Sequence, residues 1–342
     1  MANSQIKLTK DKFAPAIIDS SLGEAIDKPS LNAWQDAWLR VRKNKAAIVS
    51  MVVIVLVVLL AFTGPLFSGK EAKTQTLPHN NLPSRIPVLE NISWLPFDGM
   101  RTLNNGKQVD IYEQKGIEEY YWFGTDGLGR DLFTRVCEGT QISLYIAFLA
   151  ALLDMLIGVT YGAVSGYFGG RLDNYMQRFT EILSSIPNLV IVILMILVFK
   201  PGIVSITLAL ALTGWVSMAR VVRAQTMKMK EQEFVLASRT LGASNAKIIF
   251  KHLLPNMVGV ILINTMFSIP NAIFFEAFLS FIGLGLQDPL ASLGTLIDDG
   301  FKTLRLYPHI VIYPAIFISL IMICFNMIAD GLRDALDPKM RD

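Results

Sequence analysis

The apolar positions of this chain fall into long, nearly charge-free runs separated by polar segments. Crossing about 30 Å of hydrocarbon takes roughly 20 mainly apolar residues in a helix. The run from Ala46 to Gly69 carries no charge and is densest from Ile48 to Phe62. It predicts a first span over 46–67. The polar stretch 1–45 ahead of it, and its length, set it apart from a cleaved signal peptide. A second span is expected between Gly139 and Gly170, a third from Ile182 to Phe199 and a fourth from Pro201 to Ala219, with Lys200-Pro201-Gly202 as a tight turn between the last two. The fifth apolar run begins at Asn256 and includes Pro270; the sixth covers Ile310 to Ala329. As one straight helix, 256–285 would measure about 45 Å. A kink is therefore expected at Pro270-Asn271, with the span ending near Phe278 before an irregular or short helical piece. The expected fold class is an all-α polytopic membrane protein with six transmembrane helices.

Composition agrees. Of 342 residues, 52% are hydrophobic and 17% charged, whereas soluble domains run near one quarter charged. A net charge of +3 and only two cysteines, Cys137 and Cys324, argue against nucleic-acid binding and against a disulfide-stapled secreted module. No phosphate-cradling Gly-x-x-x-x-Gly-Lys-Ser/Thr occurs, so no ATP site is expected on this chain, nor any catalytic, cofactor or metal site.

Charge placement adds an orientation. Arg40, Arg42, Lys43 and Lys45 crowd the start of the first span, and Arg223, Lys228, Lys230, Arg239, Lys247 and Lys251 lie between spans four and five. Both regions, and with six spans both termini, are expected in the cytoplasm. The segment 68–138 is then external and long enough for a small folded cap, in which the Asn91-Ile92-Ser93 sequon carries little weight. The five-span core occupies 139–329, including a cytoplasmic loop over 223–256, and the tail 330–342 is internal.

That loop is the most informative segment. Phe234, Ala237, Ser238 and Leu241 recur at i, i+3, i+4 and i+7, so one helix face presents two small residues between two bulky ones. Gly242 can end the helix in a left-handed conformation, Ser244 can cap a second helix, and Pro255 is expected to limit the second before span five. Such a helix-turn-helix suits a groove on a cytoplasmic partner; the same pattern also fits an amphipathic connector lying on the bilayer. Within span two, Gly158, Gly162 and Gly166 clear a ridge for close helix packing. Asp154 in that span should face protein or a wet cavity, either meeting substrate or pairing with Asn188, Asn264 or Asn326, and Glu276 is an implausible lipid-facing residue. Asp126, Arg130 and Asp131 can order the loop before span two by mutual pairing.

The loop also resembles the EAA loop of bacterial ATP-binding-cassette (ABC) importer permeases, through Ala237-Ser238, Gly242 and Leu254-Pro255. Ser238 replaces the second alanine, Leu236 stands where the family name puts Glu, and Glu233 and His252 look like the peptide-transporter branch. Three further stretches resemble the second permease subunit of oligopeptide/dipeptide importers: Gly124-Thr-Asp-Gly-Leu-Gly-Arg-Asp131, Glu276-Ala-Phe-Leu-Ser-Phe-Ile-Gly-Leu-Gly285 and Asp330-Gly-Leu-Arg-Asp-Ala-Leu-Asp-Pro338. The likeness runs from about residue 120 to the end, and 69–120 carries no motif.

The resemblance implies the type I ABC importer permease fold and an ATPase-coupling loop containing Glu233, Phe234, Ala237, Ser238, Leu241, Gly242, Ala243, Ile248, His252, Leu254 and Pro255. Asp154, Asn188, Asn264 and Glu276 become candidates for a pathway or gate. It further implies a heterodimeric partner permease, two cytoplasmic ATPase subunits that hold ATP and Mg, an extracytoplasmic peptide-binding protein, and the bacterial cytoplasmic membrane as location. Nickel or glutathione import by the same architecture, and an ion-coupled secondary carrier, are the alternatives. Two intramembrane acids and no evident inverted repeat weigh against the carrier.

Overall fold

A computed structural model describes residues 33–92, 95–102 and 106–336. Residues 1–32 of the N-terminal segment, Ser93 of the sequon, and Asp337, Pro338, Lys339 and Arg341 of the tail lie outside the described residues. Helix α1 (Ala33–Lys43) leads into α2 (Lys45–Ser68), which Asn44 caps by accepting the amide of Ala47 at 3.2 Å. A small cap follows, with a hairpin of β1 (Met100–Thr102) and β2 (Gln108–Asp110) pairing Arg101 with Val109, and a short helix α3 (Ile111–Lys115). Then come α4 (Leu132–Phe168), α5 (Gly170–Ser185), α6 (Asn188–Phe199) and α7 (Ile203–Met229). The chain closes with α8 (Glu233–Thr240), α9 (Asn245–Phe281), α10 (Leu293–Lys302) and α11 (His309–Leu336).

Five helices, α2, α4, α7, α9 and α11, are each long and apolar enough to cross a membrane. The expected third span is different. Its apolar run crosses Ile186-Pro187, where the chain bends by 82° between α5 and α6, so among the described residues a sixth crossing requires that broken pair to act as one span. Pro187 has no amide hydrogen and disfavours helical backbone at Ile186. Helix α6 then packs antiparallel on the first half of α7. The fourth span also runs past Ala219 to Met229, and the second begins at Leu132, before Gly139.

Pro255 and Pro270 both lie inside one helix. Helix α9 runs on through Pro270, and its span ends at Phe281, close to the expected Phe278. Gly283, at φ +81°, then turns the chain towards α10. Pro255 does not separate a second coupling helix from span five, because Asn245–Phe281 is one helix of 37 residues, about 55 Å long. The reason is a π-helical turn over Ile248–Leu253, where the amide of Leu254 reaches back to the carbonyl of Ile249. One extra residue in the turn makes room for the proline ring. The buried side chains record it: Ile248, Leu253, Met257 and Ile261 all face the core, stepping by five residues and then by four.

The main core joins α2, α4, α9, α10 and α11 through residues such as Val57, Leu144, Ile273, Leu293 and Ile321. A second cluster sits at the other end, around Val235, Ile248 and Leu253.

Candidate functional site

The glycine ridge on α4 meets the second half of α7. A Cβ on Gly158 would stand 2.6 Å from the Cβ of Met218, and one on Gly166 would stand 2.7 Å from the carbonyl oxygen of Arg223; Gly162 faces Ala219 and Val222. The packing is thus within this chain. Near its end the ridge is tied further: Lys230 donates to the carbonyl of Gly166 at 2.9 Å, and Arg223 makes a two-pronged pair with Asp173 of α5 at 2.6 Å. The α4–α7 pair therefore forms a rigid post where the basic loop begins.

Helix α8 stands on that post. Val235 is fully buried and Ile248 equally so, joined by Leu253, Met257, Met218, Val222 and Tyr167. Burying an aliphatic side chain contributes about 1.5–3 kcal/mol, enough to hold a short helix that would be marginal in isolation. Arg239 lies over the ring of Tyr167, whose hydroxyl donates to Asn245 at the start of α9 at 2.9 Å. Val235 falls outside the Phe234, Ala237, Ser238 and Leu241 pattern, and its neighbours Phe234 and Leu236 are both exposed, so no local spacing marks it as the anchor.

The opposite face points outward. Glu233 and Ala237 are exposed, Phe234 is 41% exposed and Leu241 87% exposed. Half-buried Ser238 turns its hydroxyl back to the carbonyl of Phe234 at 2.9 Å, so it adds little polarity to this face. Gly242 has φ +78° with open space around it, while Ala243 donates to Ser238 and Gly242 to Arg239, closing the helix end. Ser244 accepts the amide of Lys247 and starts α9. Of the remaining loop residues, Ala243, His252 and Leu254 are half-buried, Pro255 is exposed, and Ile248 faces inward as an anchor. Asn256 caps the carbonyl of His252 at 2.7 Å beside the π turn.

The intramembrane polar residues do not converge. Asp154 abuts Gly214, the weak point of α7, and its Oδ1 is buried without a hydrogen-bond partner. Asn264 and Asn326 spend their side-chain amides on Val260 and Met322 of their own helices, and Asn188 is exposed at the start of α6. Glu276 is fully enclosed, accepting from Ser280 at 2.8 Å and Ser143 at 3.1 Å. Ser143 also receives the amide of Leu293, so this carboxyl ties α4, α9 and α10 together rather than lining an open path.

In the segment between α3 and α4, Arg130 pairs with Asp126 at 2.6 Å and, across 158 positions of chain, with Asp288 at 2.7 Å. Asp131 caps α4 through the amide of Thr134 at 2.8 Å. Burial holds the Asp131 carboxyl above its ordinary range in spite of the Thr134 hydrogen bonds. Asp288 and the fully buried Arg135 beside it carry no local pattern that would mark them. The cap has its own small core of Leu82, Ile111, Tyr112, Ile117 and Tyr121. It is pinned to α11 by Ser84–Tyr313 at 2.6 Å and by stacking of Phe123 on Tyr313.

Comparison with known proteins accounts for this arrangement. Residues 158–342 match the family described as binding-protein-dependent transport system inner membrane component, and residues 32–83 match the N-terminal TM domain of oligopeptide transport permease C. The chain is 42% identical over 334 residues to the oligopeptide transport system permease protein OppC of Bacillus subtilis (strain 168), covering 98% of this chain and 99% of that one. It is 43% identical to the dipeptide transport system permease protein DppC of the same organism over 93% of this chain and 89% of the relative. The dipeptide permease DppC of Lactococcus lactis subsp. cremoris (strain MG1363) is 44% identical, with 97% and 98% covered. The chain belongs to the binding-protein-dependent inner-membrane permeases of ABC importers, in their oligopeptide/dipeptide branch.

Proposed function

We propose that this chain is one of two membrane subunits of an ATP-driven importer, that its cargo is peptide, and that the α8–α9 turn is where it receives motion from cytoplasmic ATPase subunits. The observation that carries the reading is the two-sided build of α8: Val235 is locked into the α4–α7 post while Phe234, Ala237 and Leu241 face away from the chain. A partner seated on that face would push on a unit continuous with α9, which passes into the main core without a break. In this scheme ATP and Mg are held by the ATPases and this chain carries no bond-making step. A second permease completes the pathway, an external binding protein delivers peptide, and the α8 side and both termini face the cytoplasm. The peptide branch of the family supports peptide over nickel or glutathione. Dependence on ATP separates this reading from an ion-coupled carrier.

Replacing Gly242 by valine tests it, because a β-branched residue is strained at φ +78°. The G242V subunit should insert and assemble, yet peptide uptake by the reconstituted complex should fall more than tenfold. Wild-type uptake by that variant would overturn the coupling role.

A further inference from the structure

Helix α1 leaves one side unaccounted for by the transport scheme. Ala37 and Val41 are buried towards α2 and α11. Trp38 and Leu39, by contrast, remain 51% and 43% exposed. In the next turn Arg42 and Lys43 are exposed, and Lys45 is exposed at the start of α2; no carboxylate among the described residues pairs with any of the three. Lys45 heads a stripe that continues at helical spacing through Val49, Val52 and Leu56, which are 61%, 54% and 58% exposed. That stripe lies on a helix apolar enough to span a membrane, so three cations that have no carboxylate partner among the described residues sit together at its polar end. Asn44, hydrogen-bonded to both Val41 and Ala47, fixes the corner that puts them there.

We propose that α1 is an interfacial helix that holds anionic phospholipid, with Arg42, Lys43 and Lys45 on the headgroup phosphates and Trp38 and Leu39 at the acyl boundary. Basic helices with an apolar side lie in the interface plane, and tryptophan favours that depth. Each cation near an anionic surface strengthens association about fivefold. The helix is thereby a lipid-dependent brace on α2 and α11.

A spin label on the L39C variant tests this selectively, because both native cysteines, Cys137 and Cys324, are buried. The assembled complex is placed in phosphatidylcholine nanodiscs, in nanodiscs containing phosphatidylglycerol, and in lipid-free detergent. Shielding of the label from a water-soluble nickel chelate should rise at least fivefold when phosphatidylglycerol is present, and R42Q/K43Q/K45Q should abolish the rise. Equal shielding in both bilayers, exposure in both, or shielding in lipid-free detergent as strong as with phosphatidylglycerol, which would mean that an apolar cover suffices without anionic headgroups, each overturns the proposal. If the triple variant fails to assemble, the two-lipid comparison on L39C alone still decides.

Discussion

The two ends of this molecule solve opposite problems. At the cap end, polar groups are turned inward: Arg130 and Asp126 are almost wholly buried, Asp288 closes the pair from a distant loop, and the cap is fastened to α11 by a hydroxyl pair and a ring stack. At the α8 end, apolar groups are turned outward, with Leu241 standing nearly free at the tip of α8. The first arrangement holds a surface in place. The second leaves an apolar surface open to a partner, and beneath it lies the same kind of packed anchor, Val235 and Ile248, that the cap uses for itself. What separates them is thus which face is left unfinished rather than how firmly each is held.

Breaking the cap end should cost most in stability. R130Q removes the closest cation of both Asp126 and Asp288 and leaves them, among the described residues, only Arg135, at 3.4 and 3.8 Å, and loss of one partner of a buried pair costs about 3 kcal/mol or more. Thermal unfolding of the purified subunit should drop accordingly, while uptake per folded molecule stays near normal. Overpacking the post beneath α8 should cost less: G158V forces a side chain into Met218 and the Trp215 carbonyl, for about 1–3 kcal/mol. Here the comparison sharpens, since this variant should lose uptake beyond its loss of folded protein by tilting α8.

The smallest effect is a pH dependence of the cap. Arg85 hydrogen-bonds Glu90 at 2.7 Å and holds its carboxyl below the usual range. A lowered acid stabilises the fold above its unfolded value and loses that contribution as it protonates. Melting of the wild type should therefore fall relative to E90Q as pH drops from ~4.3 through Glu90's lower folded value.

Much of this was legible in the sequence where the governing physics is local. The apolar runs marked the spans, Gly242 and Ser244 marked a helix end and a helix start, and glycines at four-residue spacing marked a ridge. Pro255 does not end the helix because the rule that proline ends a helix presumes a regular α ladder, and a single wider turn sets that presumption aside. The run across Ile186-Pro187 looked like one span because hydropathy averages over the bend that splits it. Arg135 and Asp288 stayed hidden for a different reason, as their meeting depends on how α4 packs beside the loop ahead of α10, which no local spacing encodes.

Photocrosslinking from residue 241 tests the central claim most directly. With a crosslinker in place of Leu241 in the assembled complex in cells, the account predicts one dominant adduct, to a cytoplasmic ATPase subunit, whose yield changes between ATP-bound and nucleotide-free states. Adducts to lipid alone, or labelling of that position by a reagent confined to the outer face, would contradict it.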